Sequence, residues 1–323
     1  MAGTVLYLNR EDVETADVKM QEIIDALDAT FREKGEGRFE MPPKPGIHPG
    51  GDSFMHAMPA YVPKLKAAGI KWVSGNPNNQ EKGLPYISGL LILNDPETGI
   101  PLVIMDATWI TGMRTGAASA VAGKYLARKD SSSIGVIACG VQGRSHLEAF
   151  ACLFDFKEVR AFDIDPAVAE KYADDMSRKL NLDVRPVPSA KEAVTDMDIV
   201  VTSGPILKDP SPIIKPDWLA PGGFASPVDF DSYWTPEALK QMDRLVTDDI
   251  EQMEYFRKIG YFKHTPKASA DLGEIACGKK PGRKTPEERI AALNLGIALD
   301  DMATASLIYN KAKEKGIGTE LPL

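Results

Sequence analysis

The chain has 323 residues, 43% of them hydrophobic and 26% charged, with a net charge of -8. That length predicts about two domains at roughly 150 residues each, and an acidic chain with thinly spread Lys and Arg lacks the clustered cations that nucleic-acid phosphates require. No apolar run approaches the ~20 residues of a membrane span, and the three cysteines, Cys139, Cys152 and Cys277, have no metal-ligand spacing and suit a reducing compartment.

The first dozen residues have neither the basic start nor the apolar core of a signal peptide, so the expected location is cytoplasmic. From Val18 to Glu33 the apolar residues Val18, Ile23, Ile24, Leu27 and Phe31 fall at near-helical spacing and Gly35 to Gly37 close the run, predicting an amphipathic helix. Residues 41–60 are rich in Pro, Gly and His and are expected as loop and sheet edge. Strand-like runs at Gly69–Ser74, Ser88–Asn94 and Leu102–Met105, with turns at Asn76–Asn79 and Asp95–Gly99, predict a small sheet. Ile110–Leu126 reads as a helix despite Gly112, Gly116 and Gly123, because Ala, Ser and Gly on one face permit close packing.

Strand and helix patterns then alternate. Strands are expected at Ile134–Ala138, Val159–Phe162, Val184–Val187, Ile199–Thr202 and Leu245–Thr247, with a helix at Pro166–Leu180 capped by Asp165. The alternation implies an α/β fold with a mostly parallel, doubly wound sheet. A last helix carries Leu295, Leu299, Met302, Ala303, Ala305 and Ile308.

The segment Ile134 to Phe150 is an apolar strand, a glycine turn and a helix, the arrangement in which a helix N-terminus receives a dinucleotide pyrophosphate. Gly140 permits close backbone approach and Gly143 close helix packing. The first glycine of the usual fingerprint is replaced by Ala138, which is expected to adopt a conformation open to L-residues, and Cys139 beside it is expected to be oxidation-sensitive. The next strand ends on Asp163, whose carboxylate can accept both ribose hydroxyls of NAD and repels a 2′-phosphate, so NAD is expected over NADP. The plainer alternative is a turn and helix cap formed by Asp163, Asp165 and Pro166.

Three further regions hold charge in apolar or Gly-rich surroundings. Lys71, in a largely apolar strand, could bind a carboxylate or perform acid–base work, or it could simply be solvated. Arg114, near the start of an otherwise uncharged helix, suits a substrate carboxylate, a cofactor phosphate or a structural ion pair. Asp229 and Asp231 follow a strand-like run from Ala220 to Val228 at the edge where such sheets place ligands, or else cap the next turn.

The order of these pieces, through Met58-Pro59, Gly69 to Lys71, Pro77 to Asn79, Gly83 to Pro85, Thr98 to Pro101, Thr111 to Thr115, Gly140 to Gln142, Pro221-Gly222, Lys280 to Arg283 and Gly296 to Asp301, resembles the ornithine cyclodeaminase and mu-crystallin family over nearly the whole chain. The resemblance implies an NAD-dependent oxidoreductase acting on the Cα–N bond of a small amino acid or its imine. Its other branches are ornithine cyclodeaminases and non-catalytic ligand-binding crystallins. It implies Lys71 and Asp231 as catalytic residues, with Asp229 the alternative acid, and Lys44, His56, Lys71 and Arg114 at the substrate. It implies Arg114, Thr115, Gly140, Val141, Gln142, Asp163, Thr202, Ser203, Val228 and Gly296 at the cofactor. A Rossmann-type NAD domain is expected over residues 128–299. A second α+β domain for substrate binding and homodimer formation is expected from residues 1–127 and 300–323. Two departures stand out: Lys44 replaces an arginine expected at the carboxylate, and His56 stands where the cyclodeaminase branch has an acid. With His48, His56 hints at a compact or acidic substrate.

Overall fold

The computed structural model describes residues 3–207 and 209–323, with Gln80 described by its backbone only. Contacts divide the chain into two compact units, one of Met1–Arg114 with Gly296–Leu323 and one of Thr115–Leu295. The expected boundaries, after residues 127 and 299, lie elsewhere. The first turns of the helix holding Arg114 group with the first unit, since Arg114 contacts Asp300 and Asp301.

The first unit opens with β1 (Thr4–Leu8), α1 (Arg10–Thr15) and α2 (Met20–Gly35), followed by β2 (Gly46–Gly50), β3 (Ser53–Val62), β4 (Ala67–Gly75), β5 (Ile87–Asn94), β6 (Pro101–Asp106) and the start of α3 (Thr108–Leu126). The second unit holds β7 (Ser133–Ile137), α4 (Val141–Ala151), β8 (Glu158–Phe162), α5 (Pro166–Leu180), β9 (Val184–Pro186), α6 (Ala190–Val194) and β10 (Ile199–Thr202). It continues through β11 (Phe224–Pro227), α7 (Pro236–Lys240), β12 (Arg244–Thr247), α8 (Ile250–Lys258), β13 (Ala270–Asp271), α9 (Leu272–Ala276) and β14 (Ile290–Leu293). The chain then returns to the first unit for α10 (Ala298–Lys315) and β15 (Thr319–Pro322).

In the first unit the strands order as β15-β1-β6-β5-β4-β3-β2 among the described residues. The pairings are antiparallel except for β1 with β6. Alternation buries His56, Met58, Ala60 and Val62 of β3, Lys71 and Val73 of β4, Leu91 and Leu93 of β5, and Val103 and Met105 of β6. Helix α10 packs on β3, β4 and β5 and on α2, whose Ile23, Ile24, Leu27 and Phe31 are buried. Each such side chain contributes about 1.5–3 kcal/mol by burial. Lys71 therefore occupies a position that the strand period reserves for an apolar group.

Residues 41–60, expected as loop and edge, form β2 and most of β3. The N–H groups of Ala57 and Tyr61 leave β3 on one side, toward Pro45 and Glu40 carbonyls, and Pro59 lies between them with the same parity. Its missing donor thus falls on the side away from β4, where the strand tolerates proline. Strands β1, β14 and β15 also lie outside the expected elements.

The second unit is a wholly parallel sheet ordered β13-β12-β14-β11-β10-β7-β8-β9 among the described residues. The strand order reverses between β7 and β10, the switch point at which open α/β sheets bind ligands beyond their carboxyl ends. Strands β7, β10, β11 and β14 are buried at every position, which explains their unbroken apolar or small-residue runs.

Candidate active site

In the second unit, β7 is followed by Ala138, which has φ +69°. Ala138 therefore occupies the left-handed region rather than the conformation expected of an L-residue, and it is tolerated because its side chain is a single methyl group. Its N–H donates to the Phe162 carbonyl at 2.9 Å and its own carbonyl accepts from the Ser203 hydroxyl at 2.9 Å. Gly140 caps α4, and a Cβ there would meet no protein atom within 4 Å. A Cβ on Gly143 would lie 2.6 Å from the Ala138 carbonyl oxygen, so the helix can approach the turn only without one.

Asp163 follows β8. Its carboxylate accepts from the Cys139 N–H at 2.8 Å and the Asp165 N–H at 3.1 Å, which fixes its direction. Val141 and Gln142 open α4, Thr202 ends β10 with Ser203 next to it, and Val228 follows β11, so these residues share the carboxyl edge of neighbouring strands. The open space at Gly140, the first N–H groups of α4 and the fixed Asp163 carboxylate together fit a dinucleotide. Thr115 lies on α3, one residue past the division, whereas Arg114 and Gly296 belong to the first unit. Cys139 is buried, and burial and Asp163 push its thiol up to about 12. It stays protonated and enclosed, which removes the basis for oxidation sensitivity.

The two candidate acids of this unit differ sharply. Asp229 is fully buried and accepts from the Thr202 hydroxyl at 3.0 Å and the Gly204 N–H at 3.2 Å. Burial nevertheless pushes its carboxyl up to about 7. Asp231 is only partly buried, accepts from the Thr265 hydroxyl at 2.6 Å, and lines a cavity of about 350 Å³ with Trp234, Phe262, Lys263 and His264. Of the two, Asp231 alone lines that cavity.

The first unit brings Lys44, His56, Lys71, Arg114 and Gly296 together. The Lys71 ammonium donates to Asp301 Oδ1 at 2.7 Å and to the Thr111 hydroxyl at 3.3 Å. Arg114, 5% exposed, holds Nε 3.1 Å from Asp301 Oδ1 and Nη1 3.8 Å from Asp300 Oδ2, but neither nitrogen makes a hydrogen bond. Lys44 donates to the Gly296 carbonyl at 3.1 Å. His56 stacks on Phe54 at 4.6 Å, and burial first, then Lys44, His48 and Lys71, push it down to about 3, so its ring is neutral. Burial also lowers Lys71 to about 8 against the pull of Asp301, with Arg114 adding to the depression. Lys71 and Arg114 thus face the carboxylates of Asp300 and Asp301, and Arg114 keeps two buried nitrogens outside any hydrogen bond. Asp300, Asp301 and Thr111 were given no role by the sequence; their signal is an acid pair opening a helix whose neighbours Leu299, Met302 and Ala303 are wholly apolar.

A buried cluster of Lys71, Arg114, Asp300 and Asp301 in one unit and a parallel sheet with a dinucleotide-type turn in the other are the features of an oxidoreductase. The chain belongs to the ornithine cyclodeaminase/mu-crystallin family, whose model matches residues 5–316. It is 36% identical over 328 residues to an alanine dehydrogenase of Archaeoglobus fulgidus, covering 98% of each chain. Among solved structures it is similar to the Δ1-pyrroline-2-carboxylate reductase of Thermococcus litoralis in complex with NADH and L-proline, with 35% identity and a TM-score of 0.89 over 98% of this chain and 100% of that one. It is also similar to an archaeal alanine dehydrogenase dimer with bound NAD, with 34% identity and a TM-score of 0.89 over 99% of this chain and all of that one.

Proposed function

We propose that the protein reduces the C=N bond of a small α-imino acid bearing a neutral side chain, and catalyses the reverse oxidation of the amino acid. It is an NAD-dependent amino- or imino-acid oxidoreductase. The observation that carries the reading is Arg114, buried beside Lys71 with two guanidinium nitrogens outside any hydrogen bond. A substrate carboxylate would accept from both nitrogens.

Arg114 and Lys44 hold that carboxylate. Lys71, oriented by Asp301, gives a proton to the imine nitrogen in reduction and takes it back in oxidation. Asp231, with its cavity, is the second acid–base group. NADH, when bound, would supply the hydride, and the Asp163 carboxylate would favour it over NADPH. A diamino acid such as ornithine would bring a further cation, to which the neutral His56 offers no counter-charge. That disfavours cyclodeaminase chemistry.

The reading includes a cytoplasmic homodimer. Among the described residues no helix is long and apolar enough to cross a membrane. The sheet face opposite Lys71 carries Ile70, Trp72, Leu90, Ile92 and Ile104, with Trp72 paired to Leu90 and Ile92 to Ile104. Trp72 and Leu90 are 45% and 49% exposed, an apolar patch suited to a second copy.

The test is NADH absorbance with purified protein. Δ1-pyrroline-2-carboxylate, or pyruvate with ammonia, should consume NADH, and the matching amino acid should regenerate it. Conversion of ornithine to proline and ammonia with no net change in NADH would replace this reading with the cyclodeaminase one. No response to any imino or amino acid would end it.

A further inference from the structure

Asp229 is enclosed on all sides and both its oxygens are engaged, so it does not touch substrate. Its two hydrogen bonds grip the residues flanking Ser203: the Thr202 hydroxyl on one side and the Gly204 N–H on the other. The Thr202 hydroxyl is held in turn by the Trp234 indole N–H at 3.2 Å. Ser203 reaches across to β7, its N–H donating to the Ile137 carbonyl at 3.0 Å and its hydroxyl to the Ala138 carbonyl at 2.9 Å. Ala138 is the left-handed residue of the glycine turn, and its carbonyl is the atom against which Gly143 packs. A continuous chain of contacts therefore runs from the end of β11, through the end of β10, to the turn before α4.

We propose that Asp229 is a positioning residue for the dinucleotide, setting the glycine turn through Thr202, Ser203 and Gly204. This rests on the NAD reading above. A carboxylate is required because two donors, a hydroxyl and an N–H, converge on it and only a group with two acceptor oxygens satisfies both. Asparagine has the same shape but turns an amide N–H₂ toward one of those donors, and the mismatch displaces residues 202–204.

The experiment measures NADH dissociation constants by fluorescence for the wild type, Asp229→Asn, Ser203→Ala and the double variant. Asp229→Asn should weaken NADH binding about tenfold and raise the KM for NADH, while kcat at saturating NADH stays within about twofold. Because the two residues act in series, the double variant should bind no more weakly than about the poorer single variant. Should Asp229→Asn fail to fold, Thr202→Val removes one end of the same relay and should weaken NADH binding several-fold. The proposal is overturned by wild-type affinity in Asp229→Asn or Thr202→Val, by fully additive losses in the double variant, or by a loss confined to kcat. A wild-type protein that does not bind NADH would instead overturn the cofactor reading.

Discussion

Lys71 shows how a residue acquires chemistry from its surroundings. Strand alternation delivers it to the buried face of the first unit's sheet, where burial disfavours the ammonium, Arg114 disfavours it further, and Asp301 restores part of what is lost. The outcome, a pKa of about 8 instead of 10.5, suits a group that must gain and lose a proton near neutrality. The sign follows from the role. Reduction needs the ammonium, so kcat/KM for the imino acid should fall as pH rises through about 8; oxidation needs the free amine and should rise through the same range. Asp301→Asn removes the carboxylate that favours the ammonium and should move both profiles to lower pH. Lys71→Ala should cost on the order of 10²–10⁴ in turnover while NADH binding stays close to wild type. Parallel loss of NADH affinity in a binding titration would make Lys71 structural. Lys71 and Arg114 were legible in the sequence because a cation in an apolar strand or an uncharged helix is conspicuous. Asp301 was not, because an acid in the first turn of a helix ordinarily reads as a partner of the helix dipole.

At the scale of elements, the strand, turn and helix formed by β7, α4 and the residues joining them depart from the usual fingerprint at one position. The left-handed conformation of Ala138 costs about 1–2 kcal/mol relative to glycine, partly offset by the greater freedom that glycine brings to the unfolded chain. Ala138→Gly should therefore be neutral or stabilising by about 0.5–1 kcal/mol and should retain NADH binding. Ala138→Val, β-branched at φ +69°, should destabilise by about 2 kcal/mol or more and weaken NADH binding. Urea unfolding with and without NADH checks both, and an Ala138→Val protein as stable as the wild type would show that the turn relaxes. The parallel strands were legible because burial on both faces leaves short unbroken apolar runs. Helix α5 was legible to the residue because Asp165-Pro166 caps it. Strands β2 and β3 were hidden by their prolines and glycines: composition ruled out a helix but could not reveal that Pro59 keeps its missing donor off the β4 pairing. Strands β1 and β15 were hidden for another reason, since they pair with each other across opposite ends of the chain.

At the scale of the molecule, β4 belongs to two surfaces. Lys71 points into the buried cluster, while its neighbour Trp72 lies exposed on the opposite face, paired with Leu90. A chain that leaves Trp72 and Leu90 exposed, backed by half-buried Ile70, Ile92 and Ile104, carries an aggregation hazard unless a partner covers them. A second copy using the same face would close the assembly with two-fold symmetry. It would also fix β4 from the side away from the active cluster. Leu90→Lys places like charges face to face across such an interface. Sedimentation velocity should then find wild-type dimers and Leu90→Lys monomers. Because Leu90 lies outside the cation cluster, any fall in turnover that accompanies dissociation, recovered at high protein concentration, measures how far β4 depends on the partner to hold Lys71 in place. A wild-type monomer at micromolar concentration, or a Leu90→Lys dimer of unchanged affinity, would remove this face from the interface and leave the apolar strands without the partner their sequence implies.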